Sequence, residues 1–354
     1  MVEVLATLID ASNKGDSAAV DIAPTLDDPF GRRIEYLRVS LTDRCDLRCN
    51  YCMPVRMKFV PKKEILSIEE LIRIIDGFVR QGIRIVRLTG GEPLVRRGID
   101  LLLDHLGEKV RIGELKELTL TTNGVALPQN IDRLVAAGVK RINVSLDTLN
   151  PKTFEELTRR PVLDRVLGGI DAALRAGIKV KLNTVALKNA NLDEIPSIIQ
   201  WAHQRHMDIS LIEIMPMGDI DGDRREQFAP LSEIKSDLEK RWSLSADAYR
   251  TGGPSRYFQV EETGGRIGFI TPLSNNFCDS CNRVRITCTG KLYQCLGRSN
   301  HFDFRSLIRA GATDSDLDNA IRQAIAGKPW GHDFASAALQ NTSAVQRQMS
   351  VTGG

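Results

Sequence analysis

Between residue 34 and about residue 218, segments with the two-residue period of β-strands alternate with segments that have the period of α-helices. Repeated alternation of strand and helix indicates a parallel sheet with right-handed crossovers, so the sequence predicts an α/β fold. The expected strands cover 35–41, 83–88, 117–121, 141–146, 179–185 and 209–215, and the expected helices cover 67–80, 99–106, 129–137, 162–176 and 192–205. Because there are six units rather than eight, we expect an incomplete (β/α)6 TIM-like barrel.

The pattern changes after residue 218. A helix at 231–241 is followed by short strands at 256–260, 266–270, 284–287 and 291–295, and then by two helices that end near residue 327. These segments predict a smaller α+β C-terminal domain at 219–340, after a barrel at 31–218. Residues 1–30 show no period and are expected to form a mobile arm, and 341–354 form a C-terminal tail.

The charge balance excludes several classes of protein. The 48 basic and 45 acidic side chains give a net charge of +3, which excludes a strongly basic nucleic-acid coat and a polyacidic tail protein. No apolar run reaches the roughly 18 residues that span a bilayer, and the first ten residues lack the basic region of a secretory signal. We therefore expect a cytoplasmic protein with no nucleic-acid or membrane partner.

The predicted strands have one apolar and one polar face. In the first strand Leu37 and Val39 alternate with Arg38 and Ser40, and the third, fourth and fifth strands repeat the pattern. The polar positions include Arg38, Thr121, Ser145 and Lys181. Since buried parallel sheets seldom leave one face to water, this face predicts a chamber for a polar ligand. The alternative is a half-exposed sheet with one solvated face.

The seven cysteines lie in two groups, three at 45, 49 and 52 and four at 278, 281, 288 and 295. The first group, C-x3-C-x2-C, follows the first strand, where the active sites of barrels are built. A structural zinc site needs four ligands, whereas an iron–sulfur cubane held by three thiolates keeps one iron open. Three unrelated thiols or an incomplete zinc knuckle are the alternatives.

The second group offers a similar set of thiolates in Cys278, Cys281 and Cys295. The open iron of a cluster held by these thiolates could bind a nitrogen-bearing substrate. Cys288 has the same strand parity as Val284 and Ile286 and is therefore expected to be a buried core thiol.

The first cysteine group, with Tyr51 before its last cysteine, resembles the signature of the radical S-adenosylmethionine (SAM) superfamily. The turn Gly90-Gly91-Glu92-Pro93 is similar to the superfamily segment that binds the SAM amino group. The resemblance implies a partial barrel of the radical SAM type and a 4Fe-4S cluster whose open iron chelates SAM. Reductive cleavage of SAM then yields methionine and a 5′-deoxyadenosyl radical.

From Arg32 to Gly354 the chain resembles the GTP 3′,8-cyclase (MoaA) family of molybdenum cofactor biosynthesis. The motifs that carry the resemblance are LTDRCDLRCNYCMP, RLTGGEPLVRR, LTTNG, INVSLDTL, KLNTV, IEIMPMG, FCDSCNRVRIT and the terminal Gly353-Gly354. Thr352 departs from the aliphatic residue expected before the two glycines.

The resemblance implies a role for each matching residue. The SAM cluster would be held by Cys45, Cys49 and Cys52, and a second 4Fe-4S cluster, whose open iron meets guanine, by Cys278, Cys281 and Cys295. The SAM site would contain Tyr51, Gly91, Ser145 and Met215. GTP would contact Arg38, Arg87, Thr121, Lys181, Arg283, Val284 and Arg285. The residues that act in catalysis would be Arg38, Arg283, Arg285, Gly353 and Gly354.

The implied reaction is a radical cyclisation of GTP. The deoxyadenosyl radical removes the C3′ hydrogen of the ribose, C3′ attacks guanine C8, and one-electron reduction with protonation gives 3′,8-cyclo-7,8-dihydro-GTP. A ferredoxin- or flavodoxin-like reductant and, as functional partner, cyclic pyranopterin monophosphate synthase are implied, with the chain a monomer or a homodimer. The alternatives are another two-cluster radical SAM enzyme, such as a peptide-maturing one, and a non-catalytic binding module stabilised by zinc.

Overall fold

A computed structural model describes residues 24–274, 277–332, 334 and 345–353. The strands are β1 (Tyr36–Ser40), β2 (Ile85–Thr89), β3 (Glu117–Thr122), β4 (Arg141–Ser145), β5 (Lys179–Ala186), β6 (Asp208–Glu213), β7 (Leu244–Asp247), β8 (Arg256–Val260), β9 (Arg266–Ile270), β10 (Arg283–Ile286), β11 (Lys291–Tyr293) and β12 (Phe302–Asp303). The helices are α1 (Ile68–Arg80), α2 (Ile99–Arg111), α3 (Leu127–Ala136), α4 (Pro151–Thr158), α5 (Leu163–Arg175), α6 (Ile195–His203), α7 (Arg224–Gln227), α8 (Leu231–Glu239), α9 (Phe304–Arg309), α10 (Asp314–Ala326) and a short C-terminal helix, Met349–Thr352.

The strands form a single sheet in the order β12-β11-β10-β1-β2-β3-β4-β5-β6-β9-β8-β7. Strands β1 to β6 are parallel and follow chain order, as the sequence predicts for an incomplete barrel. The C-terminal strands extend this sheet at both edges: β10 pairs in parallel with β1, and β9 with β6. An edge strand exposes unpaired backbone groups, and β9 and β10 cover the two edges of the six-strand barrel sheet.

The two faces of the sheet have the predicted character. Leu37 and Val39 of β1 are fully buried in one apolar core that also contains one side of the surrounding helices.

Helix α1 begins with a capping box between Ser67 and Glu70, and it packs on α10. A Cβ at Gly77 of α1 would lie 3.0 Å from α10 side chains, so the glycine permits this close approach.

Helix α4 is absent from the sequence prediction, although Asn150 and Pro151 supply a start signal. The Asn150 side chain accepts hydrogen bonds from two backbone N–H groups of the first turn. At the other end, Thr158 O accepts from Arg48 N at 2.9 Å, and Leu157 O accepts from Asn50 N at 2.9 Å. The end of α4 therefore supports the loop that carries the first cysteines.

Part of the predicted mobile arm packs on the molecule. Residues 1–23 lie outside the described residues, but Leu26 is buried and its carbonyl accepts from Ile34 N at 2.7 Å. Within the described ranges, no helix has both the length and the apolar character needed to cross a membrane.

Candidate active site

The first three cysteines line one cavity of about 220 Å3 at the carboxyl ends of the barrel strands. Its walls come from the loops after β1 and β2 and from the ends of β3, β4, β5 and β6. The residues predicted for SAM, namely Tyr51, Gly91, Ser145 and Met215, all line this cavity.

The glycine pair after β2 holds the cysteine loop by its backbone. Gly91 N donates to Thr42 O at 2.7 Å, and Glu92 N donates to Arg44 O at 2.8 Å. A Cβ at Gly91 would overlap the carbonyl of Arg44, so only glycine allows the two loops to approach this closely.

Glu92 is fully buried and joins the second and third strand loops. Its carboxylate accepts from Leu94 N at 3.0 Å, from Thr122 Oγ1 at 2.8 Å and from Asn123 N at 2.7 Å. Burial raises the pKa of Glu92 to about 7, although these three hydrogen bonds lower it. The Asn123 amide lies 3.6 Å from Cys45 Sγ. Our sequence predictions missed Glu92 and Asn123, although both belong to the motifs quoted above.

Tyr51 connects the cysteine loop to the end of β4. Its hydroxyl donates to Asp147 Oδ2 at 2.5 Å, and Asp147 also accepts from Val185 N at 2.8 Å. Burial raises the pKa of Asp147 to about 6. Asp147 is a third residue that the sequence predictions missed.

The thiols of the first triad are buried, with carboxylates near Cys45 and Cys49 and an arginine, Arg224, near Cys52. Burial raises the pKa of Cys45 and of Cys49, with Glu92 adding to the effect at Cys45, and it raises the pKa of Cys52 to about 11. A bound iron–sulfur cluster would favour ionisation of these thiols, because its iron ions are positively charged. No three His, Cys, Asp or Glu side chains among the described residues are arranged to hold a single metal ion. The donor set of three thiols in one cavity fits a cubane cluster with one open iron.

A second cavity, of about 130 Å3, is lined by polar side chains of β1, β2, β4, β5 and β10. Its walls include Arg38, Arg87, Lys181, Arg283, Arg285, Cys278, Cys281 and Cys295. Asn183, Ile212, Met215 and Met349 line both cavities, so a ligand in one lies next to a ligand in the other.

The sheet register places three arginines in one row. Arg38 of β1 is aligned with Arg285 of β10 on one side and with Arg87 of β2 on the other. Burial and the charge of Arg285 hold the pKa of Arg38 well below its usual value, and burial with Arg283 lowers the pKa of Arg285 to about 10. None of the described residues that line the cavity is acidic. Such a concentration of buried positive charge favours a polyanionic ligand.

The second thiol triad is surrounded by cations, unlike the first. Burial raises the pKa of the Cys281 thiol. The charges of Arg283 and Lys328 act in the opposite direction, and the pKa falls to about 7. The nearest nitrogen atoms of Arg283 and Lys328 lie 4.0 and 3.7 Å from Cys281 Sγ. The two cations therefore favour the thiolate form of Cys281, whereas burial raises the pKa of Cys295. The three thiols of this triad line one cavity.

The C-terminal tail lies between the two cavities. Gly353 has a φ of 84°, and a Cβ there would overlap the side chain of Thr89. Arg285 Nη1 donates to Gly353 O at 3.2 Å, and Ser350 lines the first cavity. Thr352 is buried, with its hydroxyl 3.4 Å from Gln348 O. Gly354 lies outside the described residues.

Two of the predicted GTP contacts lie elsewhere. Thr121 lines the first cavity and accepts from Arg87 Nη1 at 3.3 Å. Val284 lines neither cavity, because its side chain is on the other face of β10 and is buried in the main core. Cys288 is fully buried, as predicted, and burial raises its pKa to about 12.

Two family models match the chain. Residues 39–202 match the model described as Radical SAM superfamily, and residues 207–334 match the model described as Molybdenum Cofactor Synthesis C.

Relatives with curated names match over almost the whole chain. A GTP 3′,8-cyclase of Rhizobium etli is 54% identical over 98% of this chain and 99% of its own length. A GTP 3′,8-cyclase of Rhizobium meliloti is 57% identical over 92% of this chain and 94% of its own. Among solved structures, Streptococcus suis SuiB bound to S-adenosylmethionine matches with a TM-score of 0.57 at 17% identity, covering 90% of this chain and 77% of SuiB. That likeness is one of fold.

Proposed function

This chain belongs to the GTP 3′,8-cyclase family of radical SAM enzymes, and from this membership we propose how its two cavities cyclise GTP. The product is 3′,8-cyclo-7,8-dihydro-GTP, in the first step of molybdenum cofactor biosynthesis. The observation that supports the proposal most strongly is the row of buried arginines beside the second thiol triad.

We assign the first cavity to SAM and the first cluster. Cys45, Cys49 and Cys52 would hold the cluster, which supplies the electron for cleavage of SAM when both are bound. The Tyr51–Asp147 hydrogen bond holds the cysteine loop against β4. Gly91 and Ser145 supply backbone and hydroxyl groups at the wall where the methionine part of SAM would lie.

The second cavity would take GTP, with the base toward Cys278, Cys281 and Cys295. One row of guanidinium groups would bind the triphosphate, because forked guanidinium groups bind phosphate oxygens in pairs. This row consists of Arg38, Arg87 and Arg285. Lys181 projects from β5, and its Nζ lies 3.1 Å from Tyr257 Oη. Met215 and Met349 lie where the cavities meet and would keep water from the ribose during hydrogen transfer.

The tail would close the site beside the substrate. The carbonyl of Gly353 accepts from Arg285, so the tail and the bound triphosphate share one guanidinium group. Gly354 belongs to this proposal by the family motif alone.

A one-electron reductant of the ferredoxin or flavodoxin type is part of the proposal, because both SAM cleavage and product formation consume electrons. Cyclic pyranopterin monophosphate synthase is the proposed functional partner. We propose no oligomeric state beyond a monomer or a homodimer.

The test is anaerobic. The protein is reconstituted with iron and sulfide, given SAM and a strong reductant, and assayed for 5′-deoxyadenosine with and without GTP by mass spectrometry. GTP should stimulate 5′-deoxyadenosine formation and appear as a cyclised nucleotide. SAM cleavage that is indifferent to GTP would contradict the substrate assignment and would favour a different radical SAM substrate, such as a peptide.

A further inference from the structure

We propose that Arg32 is a positioning residue that holds the second thiol triad together, although it lines neither cavity. The inference rests on the proposed function for the identity of the cluster that the triad binds.

Arg32 joins two segments that are far apart in the chain. Its Nη1 donates to the carbonyls of Cys278 and Trp330, both at 2.7 Å, and its Nη2 donates to the carbonyl of Pro329 at 2.9 Å. Cys278 is itself a predicted cluster ligand, so the guanidinium group holds the backbone of one ligand directly.

The guanidinium group is itself held in place. Its Nε donates to Asp28 Oδ2 at 2.6 Å, and both side chains are more than nine-tenths buried. The rings of Phe30 and Trp330 lie 5.2 and 5.3 Å from the guanidinium carbon. The ion pair with Asp28 orients the guanidinium group toward three backbone carbonyls, which an apolar side chain could not bind.

The segment that Arg32 holds, Lys328–Gly331, touches the remaining parts of the triad. Lys328 Nζ lies 3.7 Å from Cys281 Sγ and donates to the carbonyl of Gln294, next to Cys295, at 2.7 Å. A Cβ at Gly331 would lie 2.8 Å from Cys278 Sγ. Displacement of this segment would therefore disturb the surroundings of all three cysteines.

Lysine could not replace Arg32. The contacts of Arg32 run to two segments and a carboxylate in different directions, which suits the planar fork of five N–H donors. A lysine presents three donors from one point and would reach only part of the set.

The test compares Arg32→Gln and Arg32→Lys with Arg33→Gln. Arg33 is a matched control, because it is the next residue and its side chain is 60% exposed with a single 3.7 Å ion pair to Asp27. Each full-length protein is reconstituted anaerobically, and iron per chain and the EPR signals of the reduced protein are measured without GTP.

We expect both Arg32 variants to hold about half the iron of the unmodified protein and to lose one of its two cluster signals. Their SAM cleavage without GTP should stay within about twofold of the unmodified protein, because the partners of Arg32 lie around the second triad. The Arg33→Gln variant should keep full iron and both signals.

Asp28→Asn separates positioning from general folding. This variant breaks the ion pair but leaves Arg32 able to donate to its three carbonyls, so it should keep more iron than Arg32→Gln. Full iron and two signals in Arg32→Gln would overturn the proposal, as would equal loss from both clusters in Arg32→Gln and Asp28→Asn. Failure of the proposed function is a different result: the unmodified protein would hold its iron and form no cyclised nucleotide.

Discussion

At the first site, two loops approach closely because Gly91 has a hydrogen atom where other residues have a side chain. Its N–H donates to Thr42 O, and the space where a Cβ would lie is occupied by the carbonyl of Arg44. Because both contacts are with backbone, neither neighbour can turn aside as a long side chain could. The close approach of the two loops therefore depends on glycine at this position.

We expect Gly91→Ala to push the glycine loop away from the cysteine loop and to abolish most SAM cleavage, with loss of iron from the first cluster. The measurements are iron per chain and 5′-deoxyadenosine. Gly168→Ala is the matched control, because a Cβ there meets nothing within 4 Å. SAM cleavage at the unmodified rate in Gly91→Ala would contradict this reading of the loop.

Arg285 contacts both the tail and the proposed triphosphate site. Arg285→Ala removes a charge-assisted donor, so kcat/KM for GTP should fall by about 10- to 100-fold, the range expected from about 1.5–3 kcal/mol. SAM binding should change by less than about twofold. Steady-state kinetics at varied GTP concentrations measure this fall in kcat/KM. Arg111→Ala is the control, because the Arg111 side chain is 72% exposed. Unchanged GTP dependence would remove Arg285 from the substrate site.

At the scale of elements, His203 joins the end of α6 to the β8–β9 hairpin. Its Nε2 lies 3.3 Å from Arg266 O and must donate to that carbonyl, so the neutral Nδ1 accepts from Thr263 Oγ1 at 2.6 Å. Burial lowers the pKa of His203 below its usual value, because the protonated ring would lose solvation.

The pH dependence of stability follows from that direction. Below pH 6.5 the unfolded chain protonates His203 before the folded protein does, so the free energy of unfolding should fall as pH drops from about 7.5 toward 5.5. His203→Gln should remove this contribution, so the stability difference from the unmodified protein should shrink as pH falls. Denaturant unfolding at several pH values checks it, with the exposed His301→Gln as control. A difference that grows at low pH would contradict the assignment.

At the scale of the whole molecule, the two thiol triads lie in adjoining cavities with opposite electrostatic surroundings. Carboxylates near Cys45 and Cys49 raise their pKa in the first triad, whereas Arg283 and Lys328 lower the pKa of Cys281 in the second. Met215 and Met349 line both cavities, so the two sites share part of their walls, although each cavity has its own thiol triad. The arrangement suits a division between radical generation in one cavity and substrate binding in the other.

The two triads should therefore fail differently. Cys45→Ser should abolish SAM cleavage, whereas Cys281→Ser should keep part of the SAM cleavage and stop formation of the cyclised nucleotide. Cys288→Ala is the control, because this buried thiol lines neither cavity and its loss should leave iron and both activities intact. Equal loss of both activities in Cys281→Ser, with the first cluster intact by EPR, would contradict separate roles.

The sequence alone determined the local features. The period of residues 34–218 identified the parallel strands β1 to β6, and strand parity separated Leu37 in the core from Arg38 in the cavity. The spacing of the cysteines identified both triads. These features follow from neighbouring residues, because the side-chain period is a property of each strand by itself.

Only the tertiary structure decided which distant elements meet. The pairing of β10 with β1 places Arg285 beside Arg38, and it arises because an edge strand of the barrel sheet needs a partner. The same packing brings Arg32 to the carbonyl of Cys278. Thr121 of β3 lines the first cavity and not the second, which its strand parity alone does not decide. Contacts between residues nearly 250 positions apart depend on how all the elements of the molecule pack together. The local sequence around either residue does not contain that information.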